Sequence, residues 1–242
     1  MHIKLICCDV FLRPVSAFIA TSPHTIDVEY IPMLAHIKPD SLRADLQTRI
    51  NTAATIRNYD LLLLLYGLCG NATVGLSSPV KMVMPRVHDC CAVFMGSQVK
   101  FLKEFGNNLS MRWCTSGYYE RGQNENTPSQ FRTTPEYIAL VEQYGEENAE
   151  YIWETMHPEI ETPEAAYIRL PGFEMPGHEA GFKSQVEAQN KTLKILEGDT
   201  TYLEAMINGP WNDNRFLTIN PGDKVVALYD MERVITTKPV RM

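Results

Sequence analysis

Apolar and polar positions follow two different periods along the first part of the chain. Residues 2–10 and 27–33 are short apolar runs that read as strands, and residues 11–20 between them read as a helix whose first turn tolerates Pro14. In residues 40–57, DSLRADLQTRINTAATIR, the positions Leu42, Leu46, Ile50, Ala53 and Ile56 recur at helical spacing, with Asp40 or Ser41 as the cap. Residues 59–76, YDLLLLLYGLCGNATVGL, begin as a strand buried on both faces and then stop where Gly67 and Gly70 bracket a thiol. A strand at 80–84 follows, then a helix from Cys90 or Cys91 through Phe105, ended by Gly106-Asn107. Strands alternating with helices predict a parallel sheet with right-handed crossovers. Residues 1–117 are therefore expected to be a doubly wound, Rossmann-like α/β unit, with 3–7, 27–33, 60–65 and 80–84 as neighbouring strands.

Beyond Gly117 the pattern changes. Residues 118–133 are polar and rich in Asn, Gln and Arg, which predicts a loop or lid over the rim of the sheet. Residues 134–242 read as a helical portion packed on the same domain, with helices near 135–156, 178–196 and 200–208. Two short strands, 215–219 and 224–229, flank the turn Asn220-Pro221-Gly222-Asp223. No internal repeat, heptad array or low-complexity tract is present.

Composition narrows the class. A chain of 242 residues that is 45% hydrophobic can bury a sizeable core. Its formal charge of −7 disfavours a nucleic-acid partner, which needs a clustered basic patch. The longest apolar run is far below the ~20 residues of a membrane span, and the N-terminus lacks a basic region followed by an apolar stretch. A cytoplasmic protein with no membrane partner is the expectation. In that setting the six cysteines read as reduced thiols, ligands or core residues rather than disulfides.

Their placement carries the chemistry. Ligands of open parallel sheets sit beyond the carboxyl ends of the strands. Cys8 falls near the end of the first predicted strand, Cys69 in the loop after the leucine strand, and His88-Asp89-Cys90 directly after the strand at 80–84, so all three segments meet at one rim. Gly67 and Gly70, with Asn71, let the backbone turn sharply and approach a bound group while Cys69 presents its sulfur. Three thiolates plus the His88 imidazole are a ligand set for zinc, and three thiolates alone can hold an iron–sulfur cluster with one iron left open. The competing reading is that cysteine is among the most buried residue types. Cys7 and Cys91 should point to the opposite side as core residues, and Cys114 is left open. Asp89 suits a helix cap or a partner that orients His88. Arg86, Lys100 and Arg121 are candidates to bind an anionic substrate. Two alternatives stand beside the metal: an anion or small-molecule module built on residues 67–71 without a metal, and a nucleophilic Cys90 or Cys69 activated by His88. A dinucleotide site is disfavoured, because no Gly-x-Gly-x-x-Gly follows the first strand and Gly67, Gly70 and Gly75 do not reproduce that spacing; a P-loop is absent.

The segments CDVFLRP, SLRADLQTRI, YDLLLLLYGLCGNATVGL, PRVHDCCAVFMGS, TSGYYERG and FLTINPGDKV together resemble, in order and spacing, the family called domain of unknown function 1638. That family occurs in methanogenic archaea and anaerobic bacteria, often in genomic company with corrinoid-dependent methyltransferases. The most specific matches are Tyr66 to Asn71, Pro85 to Cys90, and Cys8-Asp9; at Arg13-Pro14 the chain departs from a motif that usually continues to a glutamate. The resemblance implies that Cys8, Cys69, His88 and Cys90 belong together. Together with the metal reading of the thiols, it points to a metal-dependent protein of anaerobic one-carbon or methyl and thiol metabolism, with a transferase or lyase as one form, a small-molecule substrate and a corrinoid protein or methyltransferase as partner. It supplies no reaction.

Overall fold

A computed structural model describes residues 1–106, 108–121, 135–156, 162–211 and 214–239. The leucine run forms β3 (Leu61–Leu65), and all five of its side chains are buried, as a strand covered on both faces requires. Around it lie β1 (His2–Cys8), β2 (Thr25–Ile31), β4 (Met82–Pro85) and β8 (Phe216–Ile219), in the order β2-β1-β3-β4-β8. The first four are parallel, with Leu5 opposite both Val28 and Leu63, and Leu63 opposite Val83. β8 runs antiparallel to β4, placing Leu217 opposite Met84. The α/β class and the four neighbouring strands agree with the sequence reading. That the first of the two C-terminal strands completes this sheet is new.

Helix α1 (Leu12–Thr21) connects β1 to β2, and α2 (Pro39–Ile56) connects β2 to β3. On α2, Leu42, Leu46, Ile50 and Ala53 are buried, whereas Ile56 is 72% exposed because the helix ends there. Neither Asp40 nor Ser41 caps it. Its N-cap is Lys38 without a side-chain bond, Pro39 supplies a preset φ at the first position, and Asp40 instead accepts from Arg43 at 2.8 Å.

The helix expected over 90–105 is two helices, α3 (Cys90–Phe94) and α4 (Gln98–Phe105). Gly96 breaks them apart at φ +77°, and a Cβ there would sit 2.4 Å from Asp199 Cβ, so only glycine lets the two chains approach. A second parallel sheet, β5-β6-β7, is built from Arg112–Cys114, Glu164–Arg169 and Thr192–Glu197. The expectation of one helix over 178–196 is therefore corrected: helix α8 (His178–Ala188) stops, Asn190 turns with φ +56°, and β7 begins. Between β5 and β6 the described residues hold α5 (Ser116–Arg121), α6 (Pro135–Tyr144) and α7 (Glu146–Met156), the last two separated by Gly145 at φ +78°. Of the predicted loop 118–133, residues 118–121 are helical and the remainder lies outside the described residues.

Helix α9 (Thr201–Asn208) packs on α1 and β3, and the hairpin of β9 (Asp223–Ala227) and β10 (Ile235–Pro239) follows. One buried cluster runs from Ile3 to Ile235 and includes Met111, Ala166 and Leu196, so the two parallel sheets share a core. No helix among the described residues is long and apolar enough to cross a membrane.

Candidate functional site

The chain leaves β3 through a turn held as an extension of the sheet. Leu68 N–H donates to Val87 O and Cys69 N–H to His88 O, both at 3.0 Å, which locks the turn against the segment that leaves β4. Gly67 makes this possible, since a Cβ there would lie 2.9 Å from both Asp89 Cα and Val87 O. Residues 69–71 are all left-handed: Cys69 at φ +46°, Gly70 at +62° and Asn71 at +69°. Glycine and asparagine visit that region routinely; cysteine does not, and its backbone is strained to aim the sulfur. Thr73 Oγ1 donates to Gly67 O at 3.0 Å, and Arg43 donates to Asn71 O at 2.8 Å, closing the turn.

Beside this turn lies a cavity of about 290 Å³ at the carboxyl ends of β1, β3 and β4. β1 connects outward to β2 on one side while β3 connects to β4 on the other, so the cavity sits where the strand order reverses, the usual ligand position in open α/β sheets. Cys8, Cys69 and Cys90 all line it, with Gly67, Gly70 and Asp89. Aromatic and apolar walls come from Phe11, Met33, Tyr66, Trp113 and Tyr118. The Tyr118 hydroxyl stands 3.1 Å from Cys90 Sγ, and its ring meets Trp113 edge-on at 4.4 Å. Asp89 caps α3 through Oδ1, which accepts from Cys91 N–H at 2.8 Å.

Burial dominates the electrostatics. It pushes the Cys69 thiol well up, helped by the nearby charges of Asp89 and Cys8 and opposed by the Gly67 amide. The same cause raises Cys90, with Asp89, Cys69 and Cys8 adding to it and the Tyr118 hydrogen bond opposing it. The three sulfurs thus feel one another as well as sharing a wall. Among the described residues, no group of three or more His, Cys, Asp or Glu side chains stands in an arrangement that holds a metal ion.

The other candidates are sorted by position. Cys7 and Cys91 are fully buried core residues, as expected, and no disulfide joins any of the six cysteines. Cys114 belongs to a separate small cluster under α8, its Sγ donating to Thr115 O at 3.3 Å. His88 does not line the cavity: its ring stacks on Phe101 at 6.2 Å, its N–H donates to Gln98 Oε1, and Nδ1 faces Asp89 Oδ2 at 3.9 Å. That carboxylate raises the His88 pKa against the pull of burial. Asn71 is also outside the lining. Lys100 pairs with Asp199 at 3.1 Å and Arg121 with Asp9 at 3.9 Å, and Arg86 lines a second cavity. Sequence reasoning missed Tyr66, Trp113 and Tyr118, and also His36, which lines the cavity with Nδ1 2.5 Å from Met33 O. Tyr66, next to Gly67, and Tyr118, within TSGYYERG, fall in segments that the family resemblance already marked.

A family model described as "Protein of unknown function (DUF1638)" matches residues 30–207, which contain Cys69 and Cys90 but not Cys8. No curated protein and no solved structure matches the chain.

Proposed function

Because the chain belongs to the DUF1638 family of proteins of unknown function, we propose its function from the site: Cys8, Cys69 and Cys90 hold zinc or an iron–sulfur cluster at the rim of the first sheet, for work on a small molecule. The observation that carries this reading is the meeting of three thiols from three separate strand ends in one cavity. Soft sulfur donors suit zinc and iron. Buried together, the Cys69 and Cys90 thiols resist losing their protons to water, and a cation beside them reverses that preference by stabilising the thiolates. A metal with an open position would supply Lewis acidity toward a bound thiol or water. Asp89, Tyr118 and the aromatic walls then orient the substrate and exclude solvent. His88, turned toward Phe101, is not among the proposed ligands. Taken with the family resemblance, the proposed setting is a cytoplasmic transferase or lyase of anaerobic one-carbon or methyl and thiol metabolism, acting with a corrinoid protein or methyltransferase.

A second reading is favoured by the apolar walls and by the described side chains not standing in a metal-holding arrangement: a pocket that binds a small, largely apolar molecule without a metal. Nucleophilic catalysis by Cys90 or Cys69 has less support, because both thiols are held protonated and the imidazole that would activate them faces away.

Anaerobic purification with elemental analysis and a visible spectrum tests the metal. About one zinc, or about four irons with broad visible absorbance, is expected per chain. Cys8→Ala, Cys69→Ala and Cys90→Ala should each lower it several-fold, while Cys91→Ala should not. Metal far below one equivalent, unchanged by the three substitutions, would leave the apolar pocket as the function.

A further inference from the structure

A second cavity, of about 510 Å³, opens between the end of β4, the start of α4, β8 and the turn before β10. Among the described residues, Arg86, Arg215 and Arg233 line it together with one carboxylate, Glu232. In a chain of net charge −7 such a concentration of guanidinium groups runs against the overall field. Arg86 is fixed: Nε donates to Phe216 O at 3.2 Å and Nη1 to Ile235 O. Both acceptors are backbone carbonyls, so the Arg86 charge has no carboxylate partner among the described residues. The half-buried Arg86 pays for burial and for the like charge of Arg233, both of which disfavour its cationic form. Arg215 is held over the faces of Tyr202 and Phe216, 5.7 and 5.4 Å from the ring centres. The eight-residue helix α4 begins at this wall, where Gln98 and Val99 present its positive end. Arg86 and Arg233, like charges in a concave site beside a helix N-terminus, are stabilised by an anion placed between them.

We propose that this cavity binds the phosphate group of a small molecule. The geometry is independent of the thiols: Cys8, Cys69 and Cys90 line the other cavity. A tetrahedral dianion suits three guanidinium donors and a helix end better than a monovalent carboxylate does.

Titration with inorganic phosphate at constant ionic strength, followed by calorimetry and by thermal unfolding, tests it, with acetate and chloride as comparison anions. Saturable binding of phosphate in the millimolar range or tighter is expected, with acetate at least about tenfold weaker. Arg215→Gln and Arg233→Gln should each weaken phosphate about tenfold or more. Glu232→Gln, which removes the carboxylate, should tighten it several-fold, a direction that misfolding cannot produce. Cys69→Ala should leave phosphate binding unchanged, which separates this site from the thiol cavity. The proposal is overturned if phosphate stabilises no more than chloride, if acetate binds as well, or if the Arg233→Gln and Glu232→Gln variants bind as the parent does.

Discussion

Gly67 has no room for a side chain. Its φ is ordinary, so alanine there meets a packing problem rather than backbone strain, with Asp89 Cα and Val87 O both 2.9 Å from the new carbon. Backbone cannot rotate aside as a long side chain can, and the turn must lift off the 87–89 segment. Gly67→Ala should therefore cost about 1–3 kcal/mol, the usual size of overpacking, read as a lower urea midpoint with an unchanged slope. A midpoint within error of the parent would mean that the 66–71 turn is not held as described. The two glycines were legible because each performs a backbone task that glycine alone does easily. The left-handed Cys69 was not: nothing in Leu68-Cys69-Gly70-Asn71 says that the turn begins on the cysteine rather than after it. The place of Tyr118 beside Cys90 was illegible for another reason, since that contact depends on how two separate sheets pack.

At the scale of elements, β2 is an edge strand, with only β1 beside it. Its polar face is covered by charge. Asp27 accepts from Tyr59 at 2.8 Å and lies near Arg57 and His2; Glu29 pairs with Lys4 at 2.8 Å and with Arg49. Such charges blunt an edge against pairing with another chain. Tyr59, Arg57 and His2 hold the Asp27 carboxyl below the usual range. Burial raises Glu29, but Lys4 and Arg49 outweigh it and the carboxyl again lies low. A carboxyl lowered in the folded state binds fewer protons there than in the unfolded chain, so its stabilisation is complete above roughly pH 4.5 and fades as pH falls through the lowered value. The urea midpoint of the parent should drop more steeply below that pH than the midpoint of the double variant Asp27→Asn, Glu29→Gln. Parallel curves would assign acid sensitivity elsewhere. These elements were readable because strong periodicity marks a strand or helix regardless of its neighbours. The break at Gly96 was not read, although Gly96-Ser97 is a local stop-and-cap signal, with Ser97 Oγ accepting from Lys100 N–H at 3.1 Å at the start of α4. The end of α8 also carried a signal, Asn190, which suits a left-handed stop; the apolar spacing through Leu193 and Ile195 obscured it.

For the whole molecule, the site depends on α5, which follows β5 of the second sheet yet closes the cavity of the first. Tyr118 reaches Cys90 from this helix, Glu120 receives Arg13 Nε on both oxygens at 3.1 and 2.8 Å, and Arg121 faces Asp9 at 3.9 Å. The turn that follows Cys8 is thereby tied to the helix that covers Cys90. Gly117 sets the distance between them, because a Cβ there would fall 2.2 Å from Val10 O. Gly117→Ala must push α5 away from residues 9–11, separate Tyr118 from Cys90 and open the cavity to water. In metal-free protein the Cys90 thiol, no longer held up by burial, should react with iodoacetamide several-fold faster near neutral pH, as site-resolved mass spectrometry would record. Cys7 and Cys91, fully buried and outside the cavity lining, should stay protected, which distinguishes an opened cavity from an unfolded chain. Arg13→Ala should act in the same direction but more weakly, since an exposed ion pair contributes only about 0–1 kcal/mol. If Gly117→Ala leaves the reactivity of Cys90 unchanged, α5 is not the wall that isolates the thiols, and the coupling between the two sheets at this site must be abandoned.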